Sequence, residues 1–354
     1  MKGVLHIDVS NRKAKYSFDL KRNITVVCGD SGSGKTTLYR MVRAFYEQGT
    51  SSGVKWTCSD DKKCAVLSDP NFWQQNLENI KNSIIFIDEG LKFVLSEDFA
   101  KAIKGSDNYY VFFNREKLSQ LPYSVDEVYQ IKTSGKKNHS FIKLFESNEK
   151  HIYTQKSADK KFAYDTVVVE DSKAGYEFYQ AYFDGTKIIC ETAESKSKLN
   201  KWVKNYSDSN PEKKLLVIAD GAAFGSEMNR FMEIYKSAKN PANITLCLPE
   251  SFEWLILKSG LLRQEDINEI LKNPSDYIES KEFFSWEQFF THLLVERTRE
   301  IDYMHYKEDK STLADFYKQK ENAERIIAEI KKDENEKKFN LSEIPTSSKQ
   351  EQVK

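Results

Sequence analysis

The 354-residue chain has no net charge: 54 lysines and arginines stand against 54 aspartates and glutamates. No global field therefore draws it to nucleic acid or to an anionic membrane, and any such contact has to be a local patch. It also has no run of about 18 apolar residues, and Met1-Lys2-Gly3-Val4-Leu5-His6 lacks the long apolar core of a signal peptide, so a soluble, cytoplasmic protein is expected. Cysteine is sparse. Cys28, Cys58, Cys64, Cys190 and Cys247 form no CxxC pair, and three of them end apolar runs, which suits reduced packing residues better than disulfides or zinc ligands. The five histidines are scattered without metal-ligand spacing, and only ten of the 54 basic residues are arginine, so each arginine near a site counts. The length exceeds one ordinary core and suggests two domains.

What is present begins with Gly29-Asp30-Ser31-Gly32-Ser33-Gly34-Lys35-Thr36-Thr37, which follows the apolar run Ile24 to Cys28 and precedes a helical pattern from Thr36 to Tyr46. Strand, glycine-rich loop and helix in that order make a complete Walker A motif. The glycines let successive backbone N–H groups curl around phosphate oxygens, Lys35 reaches the β and γ phosphates, and Thr36 offers its hydroxyl to Mg²⁺. A second motif, Ile84-Ile85-Phe86-Ile87-Asp88-Glu89, reads as Walker B. Asp88 is the expected Mg²⁺ ligand, directly or through water, and Glu89 the group that polarises the attacking water. No NKxD guanine motif occurs, which leaves ATP as the expected nucleotide, with Mg²⁺ as its cofactor.

Around these motifs, Gly3 to Val9 and Lys13 to Leu20 read as a β-hairpin, and Gly53 to Cys58 with Lys63 to Leu67 as another across Ser59-Asp60-Asp61. Tyr16 or Phe18 is placed either to stack on adenine or to pack in the sheet, with packing the stronger expectation. Asn108 to Phe113 should lie beside the Walker strands and end at Asn114-Arg115, where Arg115 is a candidate γ-phosphate sensor or a solvated loop arginine. Such a start is similar to ABC-type ATPase heads. Only 52 residues separate Lys35 from Asp88, however, and none spells an LSGGQ signature, which leaves the ABC dimer without its usual segment.

From Thr166 onward, apolar strands alternate with amphipathic helices through Lys258, the pattern of a doubly covered parallel sheet whose function gathers at the carboxyl ends of its strands. Those ends carry Glu170-Asp171, Glu191, Asp220 and Glu250. This order of acids resembles the TOPRIM domain of topoisomerases, primases and OLD-family nucleases. The resemblance implies that Glu170 serves as acid or base and that Glu170 and Asp220, with Glu250 or Glu227, hold Mg²⁺. Asp220-Gly221-Ala222-Ala223-Phe224-Gly225 matches the family's D-x-D-x-x-G pattern except at Ala222, and Val169-Glu170-Asp171-Ser172-Lys173-Ala174 departs from V-E-G-x-x-D at Asp171 and Ala174.

The expectation is thus an α/β chain. A P-loop NTPase domain (1–146), a linker (147–161) and a TOPRIM-like parallel-sheet domain (162–280) are followed by a helical extension (281–332) and a disordered tail (333–354). An ATPase head joined to a TOPRIM-like domain is the arrangement of OLD-type proteins of phage defence and mobile elements. That resemblance implies an ATPase controlling a module that acts on or binds nucleic acid. The alternative is a nucleotide-dependent regulatory or assembly protein, with a protein partner or a second copy of the chain bound by a catalytically dead domain.

Overall fold

The computed structural model describes residues 2–30, 32–114, 117–145, 163–262 and 265–336. Ser31, Arg115, the expected linker 147–161 and residues 337–354 of the expected tail lie outside the described residues. Two compact units emerge, one from Met1–Gln120 and Asp126–Ser147, the other from Leu121–Val125 and Asn148–Lys338.

The first unit runs β1 (Leu5–Ser10), β2 (Lys15–Leu20), β3 (Ile24–Cys28), α1 (Lys35–Gln48), β4 (Lys55–Cys58), β5 (Lys63–Val66) and α2 (Trp73–Asn79). It continues through β6 (Ser83–Ile87), α3 (Glu97–Ile103), β7 (Tyr109–Phe113), β8 (Val128–Ser134) and β9 (Asn138–Lys143). These strands form one mixed nine-stranded sheet in the order β4-β1-β2-β9-β8-β3-β7-β6-β5. Its centre is parallel: β3 pairs with β7 and β8, and β7 with β6. Every residue of β6 and β7 is buried, as parallel strands covered on both faces require. Pairing of Val27 with Phe113 and of Phe112 with Ile87 ends the three strands level, so Gly29, Asn114 and Asp88 leave the sheet at one edge.

β1 and β2 form the expected hairpin. β4 and β5 do not pair with each other; they stand at opposite edges of the sheet. The reason is coverage. β4 alternates exposed and half-buried residues and pairs antiparallel with β1, whereas Cys64, Ala65 and Val66 are all buried and pair parallel with β6. The Trp56 indole bridges the two, donating to the Lys62 carbonyl at 3.0 Å while its ring meets Phe86 edge-on at 5.9 Å.

The second unit contains β10 (Thr166–Val169), α4 (Ala174–Phe183), β11 (Ile189–Thr192), α5 (Lys196–Ser209), β12 (Leu215–Ile218), α6 (Gly225–Ser237), β13 (Ile244–Cys247) and α7 (Phe252–Lys258). Its four strands are parallel in the order β11-β10-β12-β13. Four helices follow: α8 (Glu265–Lys272), α9 (Trp286–Thr298), α10 (Asp315–Lys318) and α11 (Lys320–Glu336). Within the expected helical extension, the chain breaks at Gln319 between α10 and α11. Tyr317 Oη donates to the Met304 carbonyl at 2.6 Å and Asn322 Nδ2 to the Phe316 carbonyl at 2.9 Å, which fixes α10 as a separate turn. Phe290, Leu294, Tyr317 and Ile326 share one apolar core with Val167, Phe178 and Leu255, so the C-terminal helices complete the core over this sheet.

The segment Leu121–Val125 lies against α6. Val125 N–H donates to the Gly221 carbonyl at 3.1 Å, and Gly225 N–H to the Tyr123 carbonyl at 3.0 Å. A β-carbon on Gly225 would stand 2.4 Å from the Tyr123 ring. The glycine of the Asp220-to-Gly225 pattern is therefore a packing requirement. Gly225→Ala is expected to cost about 1–3 kcal/mol, read as a lower melting temperature by calorimetry; an unchanged temperature would mean that Tyr123 is not seated on α6.

Candidate functional site

In the first unit, the turn from β3 into α1 gathers the expected phosphate-binding residues. Gly34, with φ 100°, is the N-cap of α1, and Gly32 has φ 84°; both conformations favour glycine. Lys35 is 5% exposed and folds back over the loop, donating to the Gly29 carbonyl, to the Asp30 carbonyl at 3.2 Å and to Ser33 Oγ at 3.2 Å. Thr36 and Thr37 are exposed on the first helical turn, where backbone N–H groups have no intrahelical partner and the helix dipole favours an anion. Tyr16 and Phe18 are both buried and present no face to a base. Instead the Tyr16 ring stacks on His139 at 4.4 Å and its hydroxyl donates to the Gly34 carbonyl at 3.0 Å, buttressing the loop from behind.

Asp88 and Glu89 follow β6, one strand removed from β3, with β7 between them ending at the buried Asn114. Burial raises the Asp88 carboxyl above its ordinary range, against the Glu89 N–H that donates to it at 3.0 Å and the positive charges of Arg40 and Lys35. Lys35 and Arg40, both on α1, thus act on Asp88 as positive charges, and Asn114 follows the strand that lies between β3 and β6.

In the second unit, register brings Glu170 and Asp220 together. Val169 pairs with Ile218, Glu170 N–H donates to the Ile218 carbonyl at 2.9 Å, and Asp220 N–H donates to Glu170 Oε2 at 3.1 Å. The chain steps from β10 to β11 on one side and then crosses back over β10 to β12 on the other, so the Glu170–Asp220 pair sits at the switch point of the sheet. The other acids expected there have different employment. Asp171 caps α4, accepting from Lys173 and Gly175 N–H groups at 2.9 and 2.8 Å. Glu227 is buried and accepts from Asn200 at 3.0 Å. Among the described residues, no three histidine, cysteine, aspartate or glutamate side chains are grouped as metal ligands.

Three residues that the strand-end pattern did not reveal complete this crevice: Glu253, Glu287 and Lys310. Lys310 Nζ lies 3.0 Å from Glu253 Oε1 and 2.8 Å from Glu287 Oε1, and Tyr306 Oη donates to Glu253 Oε1 at 2.7 Å. A shared sequence signal marks both glutamates. Ser251-Phe252-Glu253 and Ser285-Trp286-Glu287 each place a capping serine two residues before an acid, and both serines accept from the N–H three residues on. Although burial opposes its charge, Glu253, Glu287 and Asp220 hold the Lys310 ammonium well above the usual lysine range. Burial pushes Glu170 up to about 7, with Glu287 and Asp171 adding to it against the Asp220 N–H and Lys196. Burial, then Glu287 and Glu170, raise Asp220 well above its ordinary value.

Comparison with models of known protein families and with curated proteins finds no match for this chain. No helix among the described residues is long and apolar enough to cross a membrane.

Folding makes the Glu170–Asp220 pair bind protons more tightly than the unfolded chain does. The Glu170 contribution to stability is therefore full below about pH 4.5 and declines as pH rises through about 7, and Asp220 shifts in the same direction. Glu170→Gln keeps an oxygen for the Asp220 N–H but removes one titration. It should flatten the melting-temperature profile across that window and melt no lower than wild type above it; an equally steep profile in calorimetry would contradict this origin.

Proposed function

We propose that the first unit is a P-loop NTPase domain that binds ATP with Mg²⁺ and hydrolyses it. The observation that carries this reading is the arrangement of Lys35 and Asp88-Glu89 at the level ends of β3 and β6, with β7 and Asn114 between them. Two strand spacings set the motifs about 10 Å apart, room for phosphate oxygens and a hydrated Mg²⁺. In this scheme Gly29 to Thr37 cradle the phosphates, Lys35 meets the terminal ones, Thr36 and Asp88 hold Mg²⁺, and Glu89 orients water for in-line attack. Arg115, two residues after β7 in the sequence, remains the proposed sensor.

The nucleotide state then controls the second unit, a TOPRIM-like module of OLD type that acts on or binds nucleic acid, in phage defence or on a mobile element. A second reading makes that module a catalytically dead, partner-binding domain of a regulatory or assembly protein. The ion pairs of Lys310 with Glu253 and Glu287, in the crevice beside Glu170 and Asp220, favour it.

Lys35→Ala is expected to abolish binding of a fluorescent ATP analogue, and Glu89→Gln to retain binding while slowing phosphate release by about 100-fold or more. If both variants match wild type in both assays, the ATPase reading fails. Mg²⁺-dependent plasmid cleavage lost in Glu170→Ala and Asp220→Ala would favour the nuclease form of the second unit; no cleavage by wild type would favour the partner-binding form.

A further inference from the structure

The acidic crevice of the second unit brings its own cation. Lys310 belongs to the connection between α9 and α10 and has φ 57°, a left-handed conformation that a residue with a β-carbon adopts at steric cost. Two hydrogen bonds hold it there. Its N–H donates to the Lys307 carbonyl at 3.0 Å, and its carbonyl accepts the Ala174 N–H, at the start of α4, at 3.2 Å. The side chain then enters the crevice, where its ammonium meets the Glu253 and Glu287 carboxylates at 3.0 and 2.8 Å.

Glu253 depends on that ammonium. Its side chain is 1% exposed, Tyr306 supplies one neutral donor to Oε1, and Oε2 is buried with no hydrogen-bond partner among the described residues. A buried carboxylate in that state is retained when an opposite charge lies against it. The same ammonium that binds Glu253 and Glu287 is the positive charge acting on Asp220, against the like charges of Glu287, Glu170 and Glu253, while Lys196 is the cation acting on Glu170.

We infer that the Lys310 ammonium is the resident counter-ion of this crevice, tethered in the role that a divalent cation plays in other acid clusters, so that the second unit holds its carboxylates without Mg²⁺. The inference deepens the partner-binding reading and rests on Glu170 and Asp220 being the strand-end pair of that unit. It is independent of hydrolysis by the first unit. The ligand set matches the chemistry: a divalent ion and an ammonium compete for the same oxygens, and Glu253 Oε1 and Glu287 Oε1 are already spent on nitrogen.

The test uses the full chain without nucleotide and Mn²⁺ as a paramagnetic probe for Mg²⁺, with bound metal read by electron paramagnetic resonance. Wild type and Asp220→Asn should bind Mn²⁺ identically, and Mg²⁺ should not shift the melting temperature of either. Lys310→Met should gain a Mn²⁺ site and a Mg²⁺-dependent rise in melting temperature, both lost again when Asp220→Asn is added. Binding by wild type that Asp220→Asn abolishes, or a folded Lys310→Met that gains no site, overturns the inference. Comparison of wild type with Asp220→Asn decides it even where Lys310→Met does not fold. Phosphate release from ATP, measured on the same preparations, separates failure of the ATPase reading from failure of this one.

Discussion

Parallel strand pairing with level ends is the constraint from which both candidate sites follow. In a parallel ladder, the carboxyl end of each strand falls at the same edge, and helices on both faces exclude solvent everywhere except along such edges. Val27 paired with Phe113 and Phe112 with Ile87 fix where Gly29, Asn114 and Asp88 emerge in one unit. Val169 paired with Ile218, and Ile218 with Cys247, do the same for Glu170 and Asp220 in the other. A slip of one residue in either ladder would reverse every side chain on that strand and disperse the site. The apolar runs that bury these strands are therefore also what position the polar residues beyond them.

Concentrating carboxylates at such an edge has an electrostatic cost that the second unit offsets in three ways. Helix starts take two of the acids: Ser251 and Ser285 cap α7 and α9, and the first turns that follow carry Glu253 and Glu287, where the helix dipole favours negative charge. Backbone donation takes a third, since the Asp220 N–H binds Glu170. Burial first, and the neighbouring acids after it, raise the carboxyls of Glu170 and Asp220, while the same acids keep Lys310 charged. Removing one member of a buried ionic set generally costs about 3–5 kcal/mol, because the charge left behind has no partner. The acids and the lysine are thus mutually dependent parts of one fold.

The α/β class, the β1–β2 hairpin and the strand and helix succession from β10 to α7 were legible in the sequence because each rests on local periodicity. Pairing partners were not. Lys55 to Cys58 and Lys63 to Val66 have the appearance of a hairpin whether they pair with one another or with β1 and β6, since strand pattern reports exposure and not partnership. Glu170 and Asp220 were recognisable by their positions after apolar runs. Lys310 had no such mark, because it reaches the crevice from an irregular connection, in a left-handed conformation that residue identity does not announce. Glu253 and Glu287 lay between these extremes: the repeated serine, aromatic, glutamate pattern was present, but its meaning depends on two helices starting at the same crevice.

Lys35 and Lys310 each bring an ammonium to one of the candidate sites, and their surroundings assign them opposite roles. Lys35 donates to the carbonyls of Gly29 and Asp30 and to Ser33 Oγ on its own loop, and its charge also acts on Asp88. A phosphate oxygen bearing full negative charge offers the ammonium a stronger partner than any of them, and releasing Lys35 returns those groups to a loop already facing solvent at Gly32, Thr36 and Thr37. Lys310 is bound to two carboxylates, one of them buried, and an incoming anion would have to displace charges that cannot follow the lysine into solvent. The first lysine is exchangeable and the second is committed. Of these two lysines, the one on the Gly29–Thr36 loop is the one placed to meet an anion, whereas Lys310 is already matched by the carboxylates around it.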